Sequence, residues 1–533
     1  MSILGASAAT ESGSRLLPFA VTVVVLIVPF AGQAAPKVTG VVNNYSFVPS
    51  GLPNSGVAPS SLITIFGSGM ASPPTGNVTL ESSAGPAGIP KLLNGTSISV
   101  TVGGTTVTPG MYYAIPSQIA AVLPANTPTG AGTLTVTYNG AASNAFAIQV
   151  VSSAFGLDTY FGTGSGLIVA TNAVTGALFD YMHSAAPGEI ITLWGTGLGA
   201  DPEDSDTVFS TTPHAVNQAS VQVYFGGVAG TVTYAGSSGY PGLDQINVTV
   251  PDPEGCNVSV TVVVEGHASN FPGLPITTGG GACSDPLLGI SGGDLSGLSG
   301  QANVNSGAVF VSQTSSSGTG TTVSSALADF RHYPGGYGTE SGALSVGSCI
   351  ITEPLSAPSS TGLDAGTMTV KGSGGSLTLL DPETGLYAAQ IQNASATPGA
   401  SFVFNWTGGS VVGAGTVTVS LPNPFLKWTN PTTTVTRSQG IHVTWSGGSP
   451  GSFVIISGTS SPPGGSATGL VCYAAQSALE FDIPAYLTEL LPAGTGSLGL
   501  VDTTPYQSFT ASGLNHGTAW GSSGDGTSSV TYK

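Results

Sequence analysis

The chain has 533 residues, of which only 6% are charged, and its 26 acidic and 8 basic residues give a net charge of −18. No Lys or Arg occurs between Lys91 and Arg331. Because such a surface has almost no cations to neutralise phosphates, the composition argues against nucleic acid and anionic membranes as partners. The length exceeds what one hydrophobic core usually serves and predicts several domains.

The N-terminus has the features of an export signal. Residues 16–31 form an apolar run, which is followed by small residues suited to cleavage after Ala34. Residues 1–34 are therefore predicted to be a signal peptide, so that the protein is secreted or held at the cell surface. A membrane anchor is the alternative, but the run is short and contains Pro18 and Pro29. No later segment is apolar and long enough to span a membrane.

The remaining composition predicts an all-β fold. The chain holds 79 Gly and 37 Pro, and the rest is dominated by Val, Thr, Ser and Ala rather than by helix formers. Apolar residues alternate with polar ones from Ile98 to Val102, from Leu134 to Tyr138 and from Val258 to Val264. This alternation predicts antiparallel sandwich strands with one buried face and one wet face.

The region 36–277 contains the same unit twice. Ala58–Met70, with the sequence APSSLITIFGSGM, reappears as Ala186–Leu198, with the sequence APGEIITLWGTGL. The segment Asn139–Asn144 likewise reappears as Glu265–Asn270, each time ending in Ala-Ser-Asn. A unit of about 100 residues with many short strands has the size of an immunoglobulin-like sandwich.

These motifs also resemble a known family. In the second copy, Ala-Pro-Gly-Glu, a strand, Gly-Thr-Gly-Leu-Gly, then Gln-Ile-Asn-Val-Thr-Val-Pro and a closing Ser-Asn stand in the order seen in Solibacter-type acidobacterial secreted proteins. That family is similar to IPT/TIG immunoglobulin-like domains. The resemblance covers roughly 38–277, and the first copy departs from it at Gln118-Ile119-Ala120. It implies tandem modules in an exported protein and brings no catalytic residues.

Four modules are therefore predicted after the signal peptide. Residues 278–325 are Gly- and Ser-rich and are interpreted as a junction, after which alternation resumes at Met368. The only predicted helix is Pro484–Leu491. The predicted modules are an immunoglobulin-like sandwich over 36–151, a second over 152–277, a β-rich module over 284–421 and an immunoglobulin-like module over 422–533.

The four cysteines suit an oxidising compartment and two disulfides, since none belongs to a Cys-x-x-Cys pair. Three pairings are open. Locality favours Cys256–Cys283, which closes a short loop, and Cys349–Cys472, which lies within the C-terminal half.

No catalytic residue is predicted. Two Gly-x-Ser-x-Gly motifs place Ser291 and Ser449 at their centres, but neither serine precedes a helical pattern, which a nucleophile elbow requires. The six histidines are scattered without metal-binding spacing. A hydrolase with its site in the C-terminal half is the least favoured interpretation.

Two weak binding signals remain. Asp201, Glu203, Asp204 and Asp206 form the densest acidic run, and oxygen ligands in a loop suit Ca²⁺, although a solvated acidic loop is the competing interpretation. No other cofactor is expected.

Aromatic residues provide the second signal, because ring faces stack on the apolar faces of sugars. The candidates are Tyr112, Tyr113, Trp406 and Trp445; a tryptophan at a strand end is otherwise a core residue. The sequence thus predicts a non-enzymatic extracellular β-sandwich protein with a structural or adhesive role. The alternative is an extracellular carbohydrate-binding protein, and the expected partner is a glycan or another surface protein.

Overall fold

The computed structural model describes residues 35–299, 301, 303–316, 320–334, 344–352 and 360–533. In this part of the chain nearly all regular structure is β, in tandem sandwiches, which confirms the predicted fold class. The predicted signal peptide lies outside the described residues. None of the helices described has the length and apolar character needed to cross a membrane.

The first module packs two sheets, ordered β1-β2-β7-β6 and β10-β8-β4-β3, around a core that includes Ile65, Val100 and Val136. Two short strands, β5 and β9, extend the second sheet. The strands are β1 Lys37–Asn43, β2 Leu62–Ser68, β3 Leu92–Leu93, β4 Thr96–Val102, β5 Thr105–Val107, β6 Gly110–Ala114, β7 Gln118–Val122, β8 Gly130–Tyr138, β9 Ala141–Ala142 and β10 Phe146–Val150.

The second module is one sheet folded over its own core, ordered β11-β13-β16-β15-β14-β17-β18, with β12 and β19 added at its sides. Leu193, Ile246 and Val260 lie in that core. The strands are β11 Gly156–Leu157, β12 Ala170–Asn172, β13 Ile190–Thr196, β14 Val221–Phe225, β15 Val228–Ser237, β16 Asp244–Thr249, β17 Gly255–Val264, β18 His267–Ala268 and β19 Gly273–Ile276.

The described residues of the C-terminal half form the remaining strands and two short α-helices. The strands up to the middle of this half are β20 Ser284–Asp285, β21 Ile290–Ser291, β22 Asn303–Ser316, β23 Thr322–Pro334, β24 Cys349–Thr352, β25 Thr361–Gly362, β26 Met368–Gly372, β27 Gly375–Thr378, β28 Leu380–Glu383, β29 Leu386–Ile391, β30 Ser401–Trp406 and β31 Gly415–Ser420. The later strands are β32 Lys427–Trp428, β33 Thr434–Val435, β34 Ile441–Ser446, β35 Phe453–Ser461, β36 Thr468–Ala475, β37 Glu480–Ile483, β38 Gly494–Thr503, β39 Gln507–Ser508 and β40 His516–Tyr532. The helices are α1 Gly292–Ser299 and α2 Ala485–Thr488.

One large sheet serves two cores in this half. It runs β24-β36-β35-β38-β40-β22-β23-β29-β28. One end covers a core closed by the sheet β27-β26-β30-β31, and the other end covers a core closed by the sheet β32-β34-β37. Strand β40 is long enough to contribute to both cores, through Ala519 and Tyr532. The predicted boundary between 421 and 422 therefore separates the two smaller sheets but divides the shared one.

Several local predictions can be compared directly with the structure. Two tight hairpin turns have the positive φ values that such turns need: Asn139 and Gly140 have 48° and 82°, and Gly226 and Gly227 have 54° and 81°. The helix predicted over Pro484–Leu491 is present as the shorter α2. The predicted junction 278–325 is wrong in part, because it contains α1 and the 14-residue strand β22.

Both predicted disulfides are present: Cys256 is bonded to Cys283, and Cys349 to Cys472. The second bridges neighbouring strands, because Cys349 and Cys472 are register partners in β24 and β36.

The prediction of one wet face is wrong for β17. All ten of its residues are buried, including the outward-facing Asn257, Ser259 and Thr261. Ser345 and Ser348, which precede β24, accept backbone amides of β17, and the outward-facing Val263 packs in a cluster with Leu490, Tyr486 and Ile351 of the C-terminal half. The second module is thus covered on the side that its sequence pattern marks as exposed.

Candidate functional site

A cleft of about 250 Å³ lies on the outer face of the large sheet, over β22, β23 and β40. We call it the sheet cleft. Strand β39 and the segment 288–290 form its far side. Its lining consists of Leu288, Gly289, Ile290, Ser306, Gly307, Ala308, Asp329, Arg331, Tyr333, Tyr506, Gln507, Ser508, His516, Thr518 and Trp520.

Strand register explains the shape of the sheet cleft. Ser306 is the register partner of both Arg331 and His516, because β22 pairs antiparallel with β23 and parallel with β40. The next outward row places Ala308 between Asp329 and Thr518. Small side chains on the middle strand and long ones on its neighbours leave a depression along β22, since alternate residues of a strand share a face.

A charged cluster forms one wall. Arg331 donates from Nε to Asp329 Oδ1 at 2.7 Å and from Nη2 to Glu383. These hydrogen bonds, that to Glu383 most of all, raise the pKa of Arg331. The three groups together carry one net negative charge, so this wall presents donors and acceptors side by side without attracting anions.

An aromatic stack forms the opposite wall. Trp520 lies parallel to Phe310, with ring centroids 4.8 Å apart and an interplanar angle of 8°. Trp520 also packs against Tyr506, with ring centroids 5.0 Å apart, and Tyr506 in turn meets the buried Phe453 edge-on at 5.4 Å. The indole is therefore fixed in position where it borders the cleft.

His516 lies between these walls. Its Nε2 is 2.7 Å from Thr518 Oγ1. Burial lowers the pKa of His516, against a smaller opposing effect of Asp294, so the imidazole is neutral at neutral pH. A neutral imidazole offers one donor and one acceptor.

The two motif serines form no catalytic pair. Ser291 does precede a helix, contrary to the sequence analysis, but its hydroxyl donates to Asp294 Oδ2 at 2.6 Å and accepts from the Asp294 amide, which makes a capping box for α1. Ser449 is buried, and its amide donates to Asp502. In the described part of the chain, neither serine is hydrogen-bonded to a histidine.

The acidic run contacts the first module. Asp206 Oδ1 accepts the amide of Ala125 at 2.8 Å, and the Asp201 amide donates to Ser60 Oγ at 2.9 Å. Within the described ranges, no three His, Cys, Asp or Glu side chains converge into a set that could hold a metal ion. Calcium binding by Asp201, Glu203, Asp204 and Asp206 stays a prediction.

The structure contradicts the prediction that Trp406 and Trp445 contact a sugar. Trp406 and Trp445 are each 3% exposed and lie in the two C-terminal cores, which leaves no ring face for a sugar. Tyr112 and Tyr113 are partly buried, and the Tyr112 hydroxyl donates to the Pro241 carbonyl of the second module at 2.9 Å. Sugar contacts through these two tyrosines stay a prediction.

Sequence reasoning missed the residues of the sheet cleft. A usable signal was present, since His516, Thr518 and Trp520 alternate along one strand, as do Asp329 and Arg331 along another. Polar and aromatic residues at period two indicate the outward face of a strand. Their convergence required knowledge of the parallel pairing of β22 with β40.

No protein-family model matches the chain, and no curated protein matches it. Among solved structures it is similar to the extracellular region of plexin A4 (15% identity, 45% of this chain and 18% of that chain, TM-score 0.15). It is also similar to SGBP-B from a xyloglucan utilization locus in Bacteroides uniformis (12% identity, 68% of this chain and 87% of that chain, TM-score 0.17). SGBP-B from a mixed-linkage glucan utilization locus of Bacteroides ovatus is similar as well (9% identity, 76% of this chain and 90% of that chain, TM-score 0.15). The chain thus spans less than a fifth of the plexin chain, and TM-scores this low carry no argument about function.

Proposed function

We propose that the protein is a non-enzymatic extracellular spacer, whose modules are fixed to one another so that the chain acts as a stiff structural or adhesive element. The two disulfides support an oxidising compartment. The repeat in 36–277 supports membership of its two units in the Solibacter-type group of IPT/TIG-like modules. Export through residues 1–34 is part of this proposal.

The observation that carries the proposal is the burial of β17 on both faces. The hydroxyl of Ser345 accepts the amide of Asn257 at 2.8 Å, and that of Ser348 accepts the amide of Ser259 at 3.0 Å. Backbone donors of one module are therefore satisfied by side chains of the next. Separation of the two would leave buried polar groups without partners.

The junction between the first two modules is bonded in the same way. The Leu62 amide donates to Thr196 Oγ1 at 2.8 Å, and Asn43 Nδ2 donates to the Thr196 carbonyl at 3.0 Å. The loop that carries Asp206 adds its bond to Ala125. Junctions with side-chain and backbone bonds resist bending more than flexible linkers do.

Distance measurements between spin labels test the stiffness. All cysteines of the described residues are in disulfides, so introduced cysteines can be labelled selectively. Labels at the exposed Thr105 and Ala229 span the first junction, and labels at Ala229 and Ser466 span the second. We expect distance distributions as narrow as that of the intramodule pair Thr105 and Asn139. Broad distributions across either junction would contradict the proposal.

A second candidate function is carbohydrate binding. It is favoured by one observation, the sheet cleft with a fixed indole on one wall and a neutralised arginine on the other.

A further inference from the structure

We propose that the sheet cleft binds a neutral oligosaccharide and seats one or two of its sugar rings over Ser306 and Ala308. The inference rests on the second candidate function and names its site and ligand class. It is independent of the stiffness of the module junctions, so either can fail without the other.

The size of the cleft favours a small, flat ligand. Its volume of about 250 Å³ lies just below the range of about 300–1,000 Å³ that is usual for pockets of drug-sized ligands. The floor is made by the short side chains of Ser306 and Ala308 on β22. Longer side chains there would fill the space between Arg331 and His516, which lie on either side.

Charge selects a neutral ligand over an anionic one. Among the described residues, Arg331 is the only cation that lines the cleft. It is already paired with Asp329 and Glu383 in a chain of net charge −18. A phosphate or carboxylate would therefore meet a net negative wall. The described contacts use Nε and Nη2 of the guanidinium, which has five N–H donors, so others can serve a ligand.

Hydroxyl groups match this wall because each both donates and accepts. Adjacent hydroxyls of a sugar can donate to the Asp329 carboxylate and accept from Arg331, and hydrogen bonds to charged groups are the stronger kind. The neutral His516 and the hydroxyl of Thr518 continue this polar row across the floor.

The aromatic wall of the cleft can contact the apolar face of a sugar ring. Trp520, Tyr506 and Ile290 border the cleft opposite the charged cluster. Contacts with Phe310 and Tyr506 hold the indole of Trp520 in place before any ligand arrives. A wall fixed in advance loses little conformational entropy on binding.

Calorimetry with the full chain tests the ligand class. The probes are cello-, xylo-, laminari- and mannohexaose, with hexagalacturonate as the acidic comparator. We expect at least one neutral hexaose to bind with a Kd on the order of micromolar to millimolar, and hexagalacturonate not to bind. Binding of none of the neutral sugars, or of the acidic one alone, would overturn the proposal.

A matched pair of variants locates the site. Ser306→Tyr fills the floor, whereas Ser312→Tyr places the same ring on the same strand and face outside the cleft. We expect Ser306→Tyr to weaken binding at least about tenfold, and Ser312→Tyr to change it little. Equal affinity of both variants would place the sugar elsewhere and overturn the site.

A fluorescence measurement tests the site without a substitution in the floor of the cleft, so a misfolded variant cannot explain its result. Three of the five tryptophans, Trp406, Trp428 and Trp445, are 2–3% exposed. In a Trp194→Phe background Trp520 is then the one partly exposed indole in the described chain. Bound sugar is expected to lower acrylamide quenching of its fluorescence. Unchanged quenching at saturating sugar would contradict binding in the cleft.

Discussion

The two copies of the repeat contain corresponding strands, β8 in the first and β17 in the second, and different surroundings lie against their outward faces. In each copy a serine hydroxyl accepts the same amide at 3.0 Å, from Val136 to Ser143 and from Val262 to Ser269. This shared contact aligns Thr135 with Thr261. Thr135 is partly exposed, whereas Thr261 is 3% exposed. The same outward position is thus surface in one module and interface in the next.

The largest expected difference in stability between the two copies follows from introducing a charge at these aligned threonines. Thr261→Arg places a cation in a buried interface without a partner, which costs about 3–5 kcal/mol. Thr135→Arg lies on a partly exposed face, where substitutions usually change stability by less than about 0.5 kcal/mol. Hydrogen-exchange protection of β17 and β8 measures both effects. Similar protection in the two variants would show that the second module's outer face is not an interface.

This pair also shows how far sequence reasoning reaches. Alternation predicted the strands and their core residues, because one face of each strand is buried in the core of its own module. It could not predict the burial of Thr261, since the cover comes from the C-terminal half, where Leu490 packs against the next outward residue, Val263. A polar threonine suits water or an interface equally well. The sheet cleft was out of reach for a related reason: Ser306 and His516 are brought together by parallel pairing of strands about 200 residues apart in sequence.

The second difference concerns the loop after the first strand of the shared motif. In the first copy the Met70 amide donates to the Pro116 carbonyl at 3.1 Å. In the second copy the corresponding Leu198 amide, with that of Gly197, donates to the carboxylate of Asp244. A carbonyl does not titrate, but a carboxylate does, so only the second loop is expected to respond to pH.

Burial raises the pKa of Asp244 to about 7, even though its two amide donors act in the opposite direction. Between about pH 4 and pH 7 the folded protein therefore holds a proton that the unfolded chain has released. The contribution of this group is fully present below the unfolded pKa and is lost as pH rises through 7. We expect this group to lower the free energy of unfolding between pH 5 and pH 8 by on the order of 2–3 kcal/mol. The raised pKa values of Asp158, Asp285 and Asp502 act in the same direction.

The variant Asp244→Asn tests whether Asp244 causes this pH dependence of the free energy of unfolding. Its uncharged amide oxygen still accepts the two loop amides, so denaturant midpoints of the variant should fall less between pH 5 and pH 8. Exchange protection at Met70, corrected for the intrinsic rate, should stay constant over the same range. Parallel profiles of variant and wild type would show that other groups set the pH response.

The closing Ser-Asn motif predicts a third, smaller difference. Asn144 bonds both backbone groups of Val38 at 2.9 and 3.1 Å. Asn270 does the same for Leu157 at 2.7 and 2.9 Å, and adds the Gly164 carbonyl at 2.8 Å. In both copies the asparagine side chain thus bonds the backbone of the first strand of the module, as a neighbouring strand would.

Loss of this amide should matter more in the second copy. Asn270 is buried, and Asn270→Ala leaves buried groups unpaired at about 1–3 kcal/mol. Asn144 is exposed, so water can replace part of what Asn144→Ala removes, and about 1 kcal/mol is expected. Hydrogen-exchange protection of the Leu157 and Val38 amides measures the two effects. A larger loss of protection at Val38 than at Leu157 would contradict this prediction.

The smallest expected effect comes from the serine hydroxyls that accept the backbone amides of β17. Ser345→Ala removes the acceptor of the Asn257 amide and a side-chain hydrogen bond to Asp285, but keeps the backbone bond from the Ser345 amide to the Asn257 carbonyl at 3.1 Å. One lost hydrogen bond of this kind is worth about 1 kcal/mol, so the Asn257 amide should exchange about fivefold faster while Val136 in the first copy stays unchanged. Ser348→Ala should act in the same way on the Ser259 amide. Because the two serines serve different donors of one strand, the double variant should show the sum of both effects if the interface opens locally, and a larger loss across all of β17 if the two modules separate as units.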